Sequence, residues 1–265
     1  MTNTVFPRAL PVPGPLRPWI SRVGLLDVEV AARGPYVHLP DADTKVILRV
    51  AMNGHRSVMV VGPRVRASYH EGKPLASCTE LRLAPGTARP LLGVAAADLV
   101  GRSMPLDAVP GGVARRLAHD LRWLEPEEAV VRLSVVLPDR LAATVDGART
   151  GLVRAGVEAM SLRTGHVPGP VRDVARELAV SERQLRNLFA GGVGVSPKHY
   201  ARIDRVRAVL AHATKVSWAE LAAVTGYYDQ SHMTSDFRAL MGVPPRSYFT
   251  GRLPAATPCR TVRRP

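Results

Sequence analysis

Two short segments in the last third of the chain carry side chains that are suited to reading DNA bases. In the first, Arg183, Arg186 and Asn187 lie on the helical face opposite its apolar residues. An arginine can donate two hydrogen bonds to O6 and N7 of guanine, and an asparagine can pair with N6 and N7 of adenine in the major groove. The second segment presents smaller polar side chains: Gln230, Ser231, His232, Thr234 and Ser235. Both segments are therefore predicted to be recognition helices, with an ordinary solvated helix face as the alternative.

Four further residues are predicted to contact DNA phosphates. Lys198 and His199 lie at the start of a helix between the two segments, and Arg246 and Ser247 follow the second segment. Helix N-termini favour phosphate because their backbone N–H groups are unpaired and the helix dipole is positive there. Plain solvation is the alternative interpretation for each of these residues.

Each recognition helix is predicted to be the second helix of a helix-turn-helix unit. The first unit spans residues 171–190, and Ser181 and Gln184 form a capping box at the start of its recognition helix. Such a box satisfies backbone N–H groups that the helix start leaves unpaired. Ala179 stands in the turn, where a left-handed alanine would cost about 1 kcal/mol, so we expect this turn to have a different shape.

The second unit spans residues 217–242. Ser217 and Glu220 are predicted to form a capping box, and Asp229 is predicted to cap the recognition helix. Gly226 supplies the turn between the two helices, because a positive φ angle is cheap for glycine.

One long helix is predicted between the two units, from about Pro197 to His212. Ser196 caps it, and Pro197 occupies the first turn, where its missing N–H costs nothing. Its apolar stripe is predicted to pack on both units and consists of Tyr200, Ile203, Val206 and Leu210.

These residues resemble the DNA-binding domain of the AraC/XylS family of bacterial transcription regulators. The most specific match is GYYDQSHMTSDFRALMGVPPRSY, residues 226–248, which follows the family signature around the second recognition helix. A second match is SERQLRNLF followed by GVSP, within residues 181–197. The resemblance implies that the linking helix holds two recognition helices in successive major grooves of DNA. The chain departs from it at Ser235, where many members have arginine, and at Ala179, where glycine is common.

The charge of the chain favours a nucleic-acid partner. The net charge is +14, and residues 161–265 hold 16 Lys and Arg against 7 Asp and Glu, which places +9 of the excess there. This distribution is typical of a nucleic-acid-binding domain. A membrane surface would also attract it, but the sequence has no basic amphipathic helix with an aromatic face and no apolar run of spanning length.

The remaining composition predicts an intracellular protein. Cys78 and Cys259 lie far apart in the sequence, so we expect no disulfide framework and a reducing, cytoplasmic location. Prolines occupy the N-terminal stretch where a secretion signal would need an apolar helix.

The predicted fold class is α+β, with an antiparallel β-rich N-terminal domain that is cupin-like or a small barrel, a helical connector and an all-α tandem helix-turn-helix domain. Short runs rich in Val, Leu and Ile, separated by turn clusters, predict the strands, and Asn53-Gly54 predicts a hairpin. Pro138 is predicted to break or kink a connector helix. The boundaries are a Pro-rich arm at 1–18, a regulatory or sensor domain at 19–110, the connector at 111–165, the DNA-binding domain at 166–250 and a basic Pro-rich tail at 251–265.

The N-terminal part also resembles a block that precedes the DNA-binding domain in a subgroup of AraC-type regulators. The resemblance rests on the order of five short motifs: Pro40-Asp41, residues 60–63, residues 83–86, residues 91–94 and residues 105–107. It implies a role in sensing or dimerisation, without naming a ligand.

The sequence does not favour an enzyme or a metalloprotein. His38, His55 and His70 are scattered, and His70 and Glu71 would point to opposite faces of a strand. We therefore expect no metal, no cofactor and no catalytic residue. The three tryptophans are predicted to be core residues: Trp19, Trp123 and Trp218.

The predicted function is a sequence-specific DNA-binding transcription regulator, with double-stranded DNA as its partner and control through the N-terminal domain. Two alternatives stay open. One is an effector-independent regulator whose N-terminal domain only mediates protein–protein contacts, and the other is a small-molecule-binding module with weak DNA binding. RNA polymerase, a small-molecule effector and a second copy of the chain are left open as further partners, and no membrane partner is predicted.

Overall fold

The computed structural model of the protein describes residues 8–26, 35–72, 75–141, 146–163, 166–213 and 217–258. Cys259, residues 1–7 of the predicted arm and residues 259–265 of the predicted tail lie outside these ranges. The described chain has an N-terminal antiparallel sheet followed by helices, which confirms the α+β fold class.

The N-terminal part contains eight strands in two sheets. They are β1 (Arg8–Leu10), β2 (Ile20–Leu25), β3 (Tyr36–His38), β4 (Lys45–Ala51), β5 (Arg56–Val61), β6 (Ser68–His70), β7 (Leu75–Leu83) and β8 (Ser103–Pro105). Six of them form an antiparallel sheet in the order β1-β2-β7-β4-β5-β8, and β3 pairs with β6. Within the described residues β1 and β8 each pair with one neighbour, so the large sheet is open and is not a closed barrel.

The strand pattern follows from alternating burial. Val46 and Leu48 of β4 point into the first hydrophobic core, as do Val58 and Val60 of β5. The predicted hairpin joins these two strands, and Gly54 adopts a φ angle of 78° in its turn. β1 was not predicted as a strand. It belongs to the arm that was predicted to be Pro-rich, and it forms a strand here by pairing with β2.

Helix α1 (Ala88–Leu92) lies between β7 and β8, and three described α-helices follow the sheet: α2 (Gly112–Leu121), α3 (Pro126–Leu141) and α4 (Gly147–Met160). Leu117 of α2 and Leu133 of α3 close the first core over the sheet. Of the predicted break or kink at Pro138, the break is wrong, because α3 continues through this residue to Leu141. The prediction for Trp123 is also wrong: this side chain is 72% exposed, whereas Trp19 is buried.

Six helices form the C-terminal part: α5 (Val171–Glu177), α6 (Glu182–Gly192), α7 (Pro197–His212), α8 (Trp218–Val224), α9 (Gln230–Met241) and α10 (Pro245–Phe249). Their shared core includes Phe189, Ile203 and Phe237, which are all essentially inaccessible to solvent. Val153 of α4 and Ala42, which precedes β4, belong to the same core. The N-terminal part and the helical part therefore share a packed boundary.

Candidate DNA-binding surface

The first helix-turn-helix unit consists of α5 and α6. Ser181 Oγ accepts a hydrogen bond from the Gln184 backbone N–H at 3.1 Å, and Gln184 Oε1 accepts one from the Ser181 N–H at 2.9 Å, which confirms the capping box. Ala179 has a φ angle of 53°. The expectation that its turn has a different shape is wrong, because the alanine itself adopts the left-handed conformation.

The second unit consists of α8 and α9 and has the same turn. The N–H groups of Gly226 and Tyr227 donate to the carbonyls of Ala223 and Ala222, as those of Ala179 and Val180 donate to Arg176 and Ala175 in the first unit. This pair of bonds is the Schellman arrangement, which requires a left-handed residue after the helix. The two units therefore share one backbone geometry, although only the second has glycine at the critical position.

The caps of the second unit are partly as predicted. Asp229 Oδ1 accepts from the His232 N–H at 2.7 Å, which confirms it as the N-cap of α9. Ser217 Oγ accepts from the Glu220 N–H at 3.3 Å. In the described part of the chain the Glu220 side chain does not return a bond to Ser217, so the predicted capping box forms only by half.

The first recognition helix, α6, presents its predicted contact residues to solvent. Arg183 and Asn187 are exposed, and Arg186 is exposed while pairing with Glu182 one turn away. An exposed ion pair of this kind contributes little to stability. The guanidinium of Arg186 can therefore be released to a base without a large penalty.

The second recognition helix, α9, borders a wide groove. Four of its predicted contact residues line the groove: Gln230, Ser231, Thr234 and Ser235. The groove has a volume of about 1150 Å³, and its opposite wall is formed by Arg66, Ala67 and Tyr69 of the N-terminal part. His232, the fifth predicted residue, is exposed and packs edge-on against Tyr227.

Two arginines of this groove were missed in the sequence. Arg238 follows Thr234 and Ser235 at helical spacing, and this spacing was the available signal. Arg66 lies far away in the sequence and reaches the groove only through the fold, so no local pattern pointed to it.

The linking helix α7 spans Pro197–His212 as predicted, and Ser196 Oγ accepts from the His199 N–H at 3.2 Å. Ile203 and Val206 are buried in the core. Tyr200 and Leu210, the other two residues of the predicted stripe, are half-buried and pack against the same core, and Val209 is a further buried residue that the prediction omitted. The N-terminal part covers a second side of the helix, which broadens the buried face.

The polar residues of α7 connect it to different elements. Arg202 pairs with Asp236 of α9 at 2.8 Å, and Arg205 donates to the Gly226 carbonyl at 3.3 Å. Asp204 accepts from the Leu162 N–H, just after α4, at 2.6 Å. These contacts, which the apolar stripe does not predict, fix the second unit and the end of α4 to one helix.

A fourth polar residue of α7 ties it to the N-terminal part. Arg207 donates to the Pro40 carbonyl at 3.1 Å and lies 3.5 Å from Asp41 Oδ2. The same carboxylate pairs with Lys45 at 2.6 Å and with Arg82 at 3.1 Å. Burial alone would raise the pKa of Asp41, but Lys45, Arg207 and Arg82 outweigh it and hold the pKa well below the usual value of a carboxyl group. Asp41 is therefore ionised at neutral pH at the junction of the two parts.

Three of the five N-terminal motifs seen in the sequence contribute residues to this junction: Pro40-Asp41, residues 60–63 and residues 83–86. The Gly86 N–H donates to the Gly192 carbonyl at 3.0 Å, at the end of α6. A Cβ atom at Gly192 would lie 2.7 Å from Val153, and one at Gly194 would lie 2.9 Å from Pro63. Close backbone approach therefore accounts for glycine at these two positions.

Residues 65–71, which we call the docking segment, bind the end of α9. The Ala67 N–H donates to the Leu240 carbonyl at 2.7 Å, and Tyr69 Oη donates to the Met241 carbonyl at 2.6 Å. The Thr257 N–H donates to the Tyr69 carbonyl at 3.0 Å, so the C-terminal stretch also pairs with this segment. Burial raises the pKa of Tyr69 to about 12, so its hydroxyl remains a donor at neutral pH.

The predicted phosphate-contact residues lie in different surroundings. Lys198 and Arg246 are exposed, and Ser247 is half-buried. The His199 ring is half-buried beside Val65, and its pKa is lowered by burial and by the neighbouring Arg202. The imidazole is therefore mainly neutral at pH 7, which weakens it as an electrostatic partner for phosphate.

The scattered histidines are partly brought together by the fold. His38 and His70 face each other across β3 and β6, with ring centroids 5.2 Å apart. The described residues contain no group of three or more metal-ligating side chains. No helix of the described chain is long and apolar enough to span a membrane.

Comparison with known proteins agrees with this geometry. Residues 174–251 match a family model described as a helix-turn-helix domain, which covers both units. The C-terminal region is an AraC-type helix-turn-helix domain. The chain is 31% identical over 100 residues to the transcriptional regulator GbdR of Pseudomonas aeruginosa, a match that covers 36% of this chain and 27% of GbdR. The chain thus matches about a quarter of that relative's length.

Solved structures of AraC-type proteins are also similar to this chain. A transcriptional regulator with an AraC-type DNA-binding domain from Chromobacterium violaceum is 25% identical, with a TM-score of 0.33, over 42% of this chain and 100% of that one. ToxT from Vibrio cholerae is 14% identical, with a TM-score of 0.39, over 82% of this chain and 92% of that one.

Proposed function

We propose that the protein is a sequence-specific DNA-binding transcription regulator whose two recognition helices read successive major grooves. The observation that carries this proposal is the rigid attachment of both units to α7. Arg202 and Arg205 hold the second unit, while the apolar face of α7 packs against the first. Such an attachment is what binding two grooves with one chain requires.

The length of α7 fits this role. Its 16 residues span about 24 Å at 1.5 Å per residue. One turn of B-DNA spans about 34 Å, so the flanking turns and recognition helices supply the remaining distance. The same spacing would be of no use to a module that binds only a small molecule.

The first recognition helix supplies most of the base discrimination in this proposal. Arg183, Arg186 and Asn187 are long side chains with donors suited to guanine and adenine edges. The second helix offers short hydroxyl groups and Gln230. In this proposal Lys198 and Arg246 contact DNA phosphates, and His199 and Ser247 have smaller roles.

Ligand control is a second part of the proposal and rests on one cleft. The cleft has a volume of about 540 Å³ and lies between α1, α4 and the end of α6, where Arg89, Arg149 and Val153 line it. Arginines beside apolar walls suit an organic anion. A ligand there would touch Gly86 and Gly192, the contact between the N-terminal part and the first unit.

A second copy of the chain is a proposed partner for α3. Val131 and Val135 lie one turn apart on this helix and are 65% and 63% exposed, and Trp123 is exposed shortly before it. Exposed apolar groups that lie on one helical face favour protein–protein contact.

The test is selection of bound fragments from genomic DNA with the full chain, followed by titration of a selected site and a random duplex. We expect the selected site to bind at least about 1000-fold more tightly than the random duplex. We also expect both affinities to fall steeply with salt, since neutralised phosphates release counterions. Equal affinity for both duplexes would refute sequence specificity, and no affinity at low salt would refute the function itself.

A further inference from the structure

The groove beside α9 has two walls that come from different parts of the chain. One wall is the outward face of α9, and the other is the docking segment, residues 65–71. Its lining includes two arginines, Arg66 and Arg238, and contains no acidic side chain.

The guanidinium of Arg66 is available for a ligand. The side chain is exposed, and in the described ranges it forms no ion pair and no hydrogen bond, which is also true of Arg238. Two residues earlier, the backbone of Arg64 pairs with the backbone of Asp41, so the chain is held in place just before Arg66.

The backbone next to Arg66 is fixed relative to α9. Ala67 donates to Leu240 at 2.7 Å, and Tyr69 donates to Met241 at 2.6 Å. Val65 packs on the core of the helical part. The backbone that carries the Arg66 side chain therefore has a defined position relative to the second recognition helix, which limits where the guanidinium can reach.

We propose that Arg66 of the N-terminal part contacts a DNA phosphate in the groove that borders α9. This inference rests on the proposed function and extends the DNA-binding surface beyond the helix-turn-helix units. An arginine binds phosphate through several N–H donors in a fixed geometry. The N-terminal part thus adds directly to the binding of DNA by the second unit, where Arg238 is the cation that α9 itself places in the groove.

The experiment measures the salt dependence of DNA binding for the full chain and for Arg66→Ala, with a random duplex of about four helical turns as the probe. Loss of one phosphate contact should reduce the slope of log affinity against log salt by about 0.9. The ratio of wild-type affinity to variant affinity should therefore fall about threefold between about 50 and about 200 mM salt. A phosphate contact should also weaken binding to a selected site and to the random duplex by the same factor.

Two variants serve as controls. Arg115→Ala removes an equally exposed charge from α2, outside the groove, and should leave the slope unchanged. Arg66→Lys keeps the charge and should retain most of the wild-type slope.

The inference is overturned if Arg66→Ala keeps the wild-type slope, or if Arg115→Ala reduces it equally. The proposed function and this inference fail in different ways. If the wild-type chain shows no salt-dependent affinity, the function is wrong; if it binds while Arg66→Ala behaves like wild type, only this inference is wrong.

Discussion

Replacing Ala179 with glycine should stabilise the protein, which is unusual for a glycine substitution. Ala179 has a φ angle of 53°, and its methyl group is exposed, so its removal costs little packing. A left-handed conformation costs an alanine about 1–2 kcal/mol. Glycine gains more freedom in the unfolded chain, which offsets about 0.4–1 kcal/mol of this relief. The net gain for Ala179→Gly should be about 0.5–1 kcal/mol.

The reverse change in the second unit should have the opposite effect. Gly226 occupies the same position of the same turn, with a φ angle of 72°. Gly226→Ala should cost about 0.5–1 kcal/mol, because the strain of a left-handed alanine exceeds what the lower freedom of alanine in the unfolded chain returns. The new Cβ would also lie 2.6 Å from Val167 Cγ1, so that side chain must rotate away.

The assay is urea denaturation of the full chain followed by far-ultraviolet circular dichroism. With a slope of about 2–3 kcal/mol per molar urea, Ala179→Gly should raise the midpoint by about 0.3 M. Ala190→Gly, at an exposed position inside α6, should instead cost about 1 kcal/mol because its backbone is helical. If Ala179→Gly destabilises the chain as much as Ala190→Gly does, the φ angle of Ala179 does not control stability and the argument is refuted.

Three other predictions concern the DNA-binding surface and its attachment. Arg186→Ala should cost about 1–3 kcal/mol in binding to a selected site, whereas Ser235→Ala should change little; equal losses on one operator would contradict the asymmetry. Insertion of two residues after Ala208 should preserve the helical circular dichroism signal but abolish tight binding to a full site, and footprints should shrink to one groove segment. Asp41→Asn should lower the stability of the chain by about 3 kcal/mol at pH 7, because it leaves buried cations without their shared carboxylate. The folded pKa of Asp41 is lowered, so this carboxylate stabilises the fold fully above the unfolded pKa of about 3.9. The difference between variant and wild type in urea should shrink as the pH falls below about 3.9 and should disappear only when the pH reaches the lower folded pKa.

The helix-turn-helix units could be predicted from the sequence because their structure is decided by neighbouring residues. Ser181 and Gln184 lie three positions apart, and the bonds between them form within a single turn of helix. Pro197 and His212 bound α7 through equally local effects, since a proline suits the first turn of a helix. Candidate contact residues on α6 followed from helical periodicity alone.

Predictions failed where packing overrides local pattern. Pro138 breaks helices in general, yet α3 continues through it while Ala129, Leu133 and Leu137 stay buried along one stripe. Trp123 was assigned to the core by residue type, but it falls after the end of α2, on the side that no described element covers. A left-handed Ala179 is tolerated because both hydrogen bonds of its turn are formed.

Two helix-turn-helix units, the helix between them and the positive charge around them could be read from the amino-acid sequence. The reason is that capping, periodicity and net charge depend on residues close together in the chain. Only the tertiary structure decided how the N-terminal part meets these units. Arg207 pairs with Asp41, and Arg66 lines the groove beside α9, although more than 160 residues of sequence separate the partners in each case. Such partners are selected by the packing of whole elements, since contact between distant residues requires that the intervening chain be folded first.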